Sequence, residues 1–133
     1  MSEQDAVTVR GAYDAFARQD MPSVLATMDQ DITWFCPEEL PFGGHFDGVA
    51  EVVGYLQAMV SAFDSIEIVA DRVLSAGADR VVVEGRSRVV LNGESLEVGF
   101  VDMVTMRAGK IGHAREYQDT GKLLRRLERT AVH

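Results

Sequence analysis

Three short glycine-containing breaks punctuate the second half of the chain and constrain its fold more than any other feature. "AGA" (76–78), "NG" (92–93) and "RAG" (107–109) separate four runs rich in β-branched and aromatic residues. These runs are "IEIVADRVLS" (66–75), "DRVVVEGRSRVVL" (79–91), "ESLEVGFVDMVTM" (94–106) and "KIGHAREYQ" (110–118). Breaks this short close antiparallel hairpins, whereas a parallel connection needs a crossover of about a dozen residues. The spacing therefore predicts four successive antiparallel strands.

The first half has a different period. Val7, Val9, Ala12, Tyr13 and Phe16 recur at near-helical spacing over residues 3–19. Asp20 breaks that helix, Pro22 suits the start of another, and Val24, Leu25 and Met28 form its inward face. "ITWFCP" (32–37) is a short strand that Pro37 stops, and "EELPFGGHFDG" (38–48) reads as loop. Val49, Val52, Val53, Leu56, Met59, Val60 and Phe63 then mark a third helix, from Gly48 to about Phe63. "TGKLLRRLERT" (120–130) is a short closing helix, for which Asp119 or Thr120 is a natural N-cap. Helices followed by strands predict an α+β domain with helices on one face of a curved antiparallel sheet, the whole of 1–133 forming one domain.

Composition narrows the function classes. A formal net charge of -8 argues against a nucleic-acid partner, which needs a basic surface. No apolar run is long enough to span a bilayer, and Met1 to Asp5 does not read as a signal peptide. The single cysteine leaves no internal disulfide, so the expected compartment is the cytoplasm. His45, His113 and His133 have no metal-ligand spacing, and neither a metal nor another cofactor is expected.

The turn at 107–109 decides which acids share a face. With Ala108-Gly109 as a two-residue turn, Arg107 pairs with Lys110 and Asp102 falls opposite Arg115. With Arg107-Ala108-Gly109 as a three-residue loop, Met106 pairs with Lys110 and Asp102 falls opposite Ala114. Glycine in third place suits the three-residue loop, whose last residue is left-handed. That register is the expectation adopted, and it puts Phe100, Asp102, Val104 and Met106 on one face with Ala114, Glu116 and Gln118. A one-residue slip would reverse every assignment.

The segments "LATMDQDITWFCP", "PFGGHFDG", "VDMVTM", "GKI" and "REYQDT" resemble, across nearly the whole chain, the SnoaL-like group of the nuclear transport factor 2-like superfamily. The resemblance implies a cone of curved antiparallel sheet wrapped over three N-terminal helices, with a deep apolar pocket inside. Polyketide cyclases, ketosteroid isomerases, epoxide hydrolases and dehydratases share that fold, as do many proteins of no known activity. Carried over by residue, the isomerases' general base falls at Cys36 and their oxyanion-hole tyrosine at Ala12. Tyr13 lies one position and about 100° further round the helix. Only the isomerases' oxyanion-hole aspartic acid is matched, by Asp102. Glu116 matches the epoxide hydrolases' last-strand acid, but "GRSR" (85–88) lacks their Arg-x-Asp partner. Cyclases of the family place a pocket acid on the last strand and a polar partner 14 positions earlier, the spacing of Glu116 and Asp102, although the partner there is a histidine.

Asp102 and Glu116 are thus the expected catalytic pair. Two facing carboxyls repel when both are ionised, so one can keep a proton near neutral pH and act as an acid. Trp34, Tyr55, Phe100, Gln118, Tyr13 and His45 are the expected substrate contacts, with His45 at the pocket mouth, where a surface histidine is the plainer reading and a gate or proton donor the sharper one. Asp119 is read as a cap, Cys36 as a small buried apolar group, and Arg86 and Arg88 as lining the outer face with Glu84, in a solvated or interface patch. Val82, Val90, Val101 and Met103 point outward in the adopted register and predict a homodimer through the convex face. The expected ligand is a small, largely apolar organic molecule. The expected chemistry is cofactor-free isomerisation, cyclisation or dehydration, the alternative being a non-catalytic binding or dimeric assembly module.

Overall fold

The structure, a computed structural model, describes residues 2–131. Helix α1 (Ser2–Ala17) is followed by α2 (Met21–Ala26), β1 (Met28–Cys36), β2 (Gly44–Asp47) and α3 (Val49–Ser61). Strands β3 (Ser65–Ser75), β4 (Arg80–Leu91), β5 (Glu94–Arg107) and β6 (Lys110–Gln118) precede α4 (Thr120–Ala131). The six strands form one curved sheet in the order β2-β1-β6-β5-β4-β3. The expected α+β architecture is the one observed, with helices packed on a single concave face.

Local chemistry accounts for the boundaries. Asp20 caps α2 by accepting from the Ser23 amide (3.3 Å) and the Ser23 hydroxyl (2.5 Å). The Asn92-Gly93 turn is left-handed at both residues (φ 52° and 79°), the two-residue hairpin geometry that suits the twist of its strands. At Gly85 an added Cβ would lie 2.2 Å from the Val69 carbonyl oxygen and 2.7 Å from the Phe100 ring. The Phe100 ring therefore rests directly on the backbone of β4. Inward-facing Val81, Val83, Val98 and Val104 form the sheet's share of the core, and Val9, Ala12, Val52 and Leu56 the helices' share.

Three expectations need correction. The segment 38–48 is not all loop, because Gly44–Asp47 forms edge strand β2, antiparallel to β1. The sheet is not purely antiparallel either, because β1 runs parallel to β6, with Thr33 beside His113 and Phe35 beside Arg115. The third concerns the turn at 107–109. Ala108 and Gly109 are both left-handed (φ 51° and 79°) and Arg107 pairs with Lys110, so it is the two-residue turn. That register alone would set Asp102 against Arg115. A bulge intervenes: Met106 pairs with Ile111, Thr105 pairs with His113, and Gly112 is left without an opposite number. The extra residue restores the face parity, and Asp102 lies directly opposite Glu116. Burial explains it, since the bulge lets both Ile111 and Ala114 point into the core. The Ile111 amide is also held there by the Thr27 carbonyl at 2.8 Å.

Candidate functional site

A cavity opens between α1, α3 and the concave face, and the centres of water-sized spheres can occupy about 90 Å3 of it. Its walls are mostly Phe, Met, Ile and Val side chains, and its two carboxyls lie side by side on β5 and β6. A water needs about 10–15 Å3 by this measure, so the space exceeds that of a few waters. Asp102, Glu116, Gln118, Tyr13, Trp34 and Phe100 all line it.

Asp102 and Glu116 are cross-strand neighbours and each is held by aromatic donors. The Tyr13 hydroxyl donates to Asp102 Oδ2, while Asp102 Oδ1 is buried without a hydrogen-bond partner among the described residues. Glu116 Oε1 accepts from the Trp34 indole N–H (2.8 Å) and from the Tyr55 hydroxyl. Its second oxygen, Oε2, meets the Gln118 amide nitrogen at 3.5 Å. Trp34 reaches Glu116 because it lies beside Ala114 in the parallel pair, two residues from Glu116 on the same face. Phe100 stacks on Tyr13 with ring centroids 6.5 Å apart, which seats the tyrosine over Asp102.

These surroundings set the protonation order. Burial, and then the charge of Glu116, raise Asp102 well above the ordinary carboxylate range; the Tyr13 hydrogen bond opposes this without reversing it. Glu116 is also raised by burial, but donation from Tyr55 and Trp34 favours its charged form. Asp102 thus holds the proton and Glu116 ionises first. Burial, aided by the neighbouring carboxyls, pushes both tyrosines well above their usual value, so they stay donors. Cys36 is pushed up to about 12, by burial first and then by Glu116, and is no thiolate nucleophile.

Two expected contacts are placed differently from the sequence reading. His45 is not at the cavity mouth: it is exposed on β2 and faces outward, its ring 4.5 Å from that of Phe35. The alternation of β2, with Phe46 turned inward onto Tyr55, forces this. Tyr55 lies behind the wall and meets the site through Glu116, through Met59 Sδ (3.7 Å) and through the Trp34 ring (centroids 6.2 Å apart). Tyr13 reaches Asp102 although it is one helical position from the family's tyrosine, because Ala12 and Tyr13 both border the cavity. Asp119 caps α4, accepting from the Lys122 amide at 3.2 Å. Arg86, Arg88 and Glu84 share the outer face, where the arginines pair with Asp71, Glu67 and Glu97, and Glu84 pairs with Arg72. Among the described residues no group of His, Cys, Asp and Glu side chains is placed to hold a metal ion, and no helix is long and apolar enough to cross a membrane.

Comparison with known proteins agrees with this architecture. Residues 9–114 match the SnoaL-like domain, and the chain belongs to that family. A nuclear transport factor 2-like protein of unknown function from Burkholderia pseudomallei K96243 is 29% identical, with 92% of this chain and 95% of that one covered and a TM-score of 0.84. TerC, co-crystallised with polyporic acid, is 26% identical over 94% of this chain and 98% of its own, with a TM-score of 0.86. A protein from Jannaschia sp. CCS1, provisionally assigned as a SnoaL-like polyketide cyclase, shares the fold at 17% identity, with 92% and 90% covered and a TM-score of 0.79. No curated protein matches the sequence.

Proposed function

We propose that this protein binds a small, largely apolar organic molecule in the cavity and moves protons on it without a cofactor, in an isomerisation, cyclisation or dehydration. The observation that carries the reading is the Asp102–Glu116 pair, two carboxyls set face to face at the polar end of an apolar cavity. A protonated Asp102 with an unpartnered Oδ1 can donate to a ligand carbonyl or hydroxyl oxygen, while Tyr13 holds Oδ2. Glu116 has two close donors on Oε1 and only the long Gln118 contact (3.5 Å) on Oε2, so Oε2 is the oxygen better placed to take a proton from an adjacent carbon. Removing a carbon-bound proton while protonating the neighbouring oxygen yields an enol, the common intermediate of all three reaction types. The pair would then return the proton elsewhere on the molecule. TerC supports the ligand class, as a protein of the same fold co-crystallised with polyporic acid.

Trp34 is the chain's one tryptophan and donates to Glu116, so its indole N–H gives a single reporter of the site. Titration with 2-tetralone, a small enolisable aromatic ketone, should shift the indole proton resonance saturably. An unmoved indole signal at millimolar ketone would argue against the cavity as the binding site.

The reading extends to a homodimer through the outer face and to a cytoplasmic location, in keeping with a lone buried cysteine in no disulfide. The Arg115 guanidinium stacks 4.0 Å from the Phe35 ring centroid and 5.8 Å from that of Tyr117. Leu74, Val82, Met103, Arg115 and Phe35 are successive neighbours across the strands, with Val101 and Tyr117 alongside. Tyr117 and Leu74 are about half exposed, at 52% and 50%. Such a row of Tyr, Arg, Met and Phe has the composition of a protein interface. Val90 stands apart from it, beside Ser65 and Ser95 near the Asn92-Gly93 turn.

A further inference from the structure

Most polar side chains around the cavity are already engaged. Tyr13, Trp34, Glu116 and Gln118 belong to the carboxyl cluster, and the Thr27 hydroxyl donates to the Val24 carbonyl at 2.6 Å. Ser87 is different. It occupies an inward position of β4, between cross-strand partners Ile68 and Val98, and it lines the same cavity. Its other close neighbours on that face, Ile66 and Val89, are apolar, and its hydroxyl makes no hydrogen bond with any described residue. A hydroxyl in an apolar wall is unfavourable unless something polar meets it.

Register places it relative to the reacting end. Ser87 pairs with Val98, four residues before Asp102 on β5, so the hydroxyl stands roughly 13 Å along the sheet from the carboxyl pair. We infer that Ser87 is the second polar anchor of the site, a specificity-determining residue that selects elongated ligands carrying a hydroxyl or carbonyl at the end remote from the reacting group. This rests on the cavity reading above. Such a ligand has an apolar body and two terminal polar atoms roughly 7 to 13 Å apart, the shorter span applying if a bond of about 2.8 Å lies along the sheet at each end.

The test compares 2,6-dihydroxynaphthalene with 2-naphthol, which lacks the second hydroxyl, on the wild type, Ser87→Ala and Ser87→Thr. Ser87→Ala should weaken the diol by roughly five- to twentyfold, the loss of one hydrogen bond, and leave 2-naphthol within about twofold. Ser87→Thr keeps the hydroxyl and should retain the preference for the diol. The thermal midpoint of Ser87→Ala should be unchanged or raised, because it removes an unpartnered hydroxyl from an apolar wall. Equal weakening of both probes, no weakening of either, or a midpoint lowered by several degrees would overturn the anchor while leaving the cavity reading intact. Failure of both probes to bind the wild type would overturn the cavity reading and the anchor together.

Discussion

Replacing Asp102 by asparagine should change how stability depends on pH, in a direction opposite to that of most carboxylate variants. The folded state holds this carboxyl protonated, because burial and Glu116 raise it well above its ordinary value of 3.8. A group raised on folding contributes stability that is fully present below its unfolded value and is lost as pH rises through its folded value. Within that window the folded state binds about one more proton than the unfolded chain, so the wild type loses about 1.4 kcal/mol per pH unit. Asparagine cannot ionise, and its amide oxygen can still accept from Tyr13. The variant should therefore gain on the wild type by up to that amount per unit as pH rises above about 4, or about 3–5 °C in midpoint for a domain of this size. His113, which burial holds below its usual value, adds an opposite slope, but it is common to both proteins and cancels in their difference. Calorimetric midpoints at intervals from pH 4 to pH 9 measure this directly. Parallel curves for the two proteins, or a wild type that gains on the variant with rising pH, would refute the claim that Asp102 carries the proton.

Three further outcomes follow from single contacts, each checked by denaturant unfolding or solution mass. Asp119→Asn should cost little, whereas Asp119→Ala should lose about 1 kcal/mol as the cap on Lys122 disappears. Gly85→Ala should lose roughly 1–3 kcal/mol or more, since its methyl would lie 2.2 Å from the Val69 oxygen and push Phe100 off its seat. By light scattering at micromolar concentration the wild type should give a dimeric mass, and Tyr117→Asp, on the half-exposed outer face, a monomeric one; a monomeric wild type would contradict the interface.

Much of this fold is legible in the sequence wherever one local signal suffices. The Asn92-Gly93 turn, the helix break at Asp20, the four strands of the second half and the helix at Val49–Ser61 each follow from turn chemistry or periodicity. What local signals cannot convey is pairing between distant segments. The parallel β1–β6 contact depends on no turn, and with it went the knowledge that Trp34 reaches Glu116. Strand β2 is four residues long inside a glycine-rich stretch, too short to show a period, so the sequence does not reveal that His45 points away from the cavity. The face shared by Asp102 and Glu116 came out as expected from an incorrect turn, because the Gly112 bulge compensates for the two-residue loop. A bulge is fixed by burial on both sides of it, here of Ile111 and Ala114, and has no consistent sequence mark. Ser87, by contrast, was within reach: once Arg86 and Arg88 are turned outward, alternation turns Ser87 in.

The central claim, that Glu116 exchanges protons with a carbon acid held against Asp102, has a direct measurement that needs no knowledge of the natural substrate. Deuterium uptake at the α-carbons of 2-tetralone in heavy water can be followed by proton NMR with catalytic amounts of protein. The wild type should accelerate uptake above buffer. Glu116→Gln, which keeps an acceptor for Trp34 but lacks the base, should lower the enzymatic rate by about a hundredfold or more. Uptake at the buffer rate with the wild type, or full acceleration with Glu116→Gln, would contradict the account.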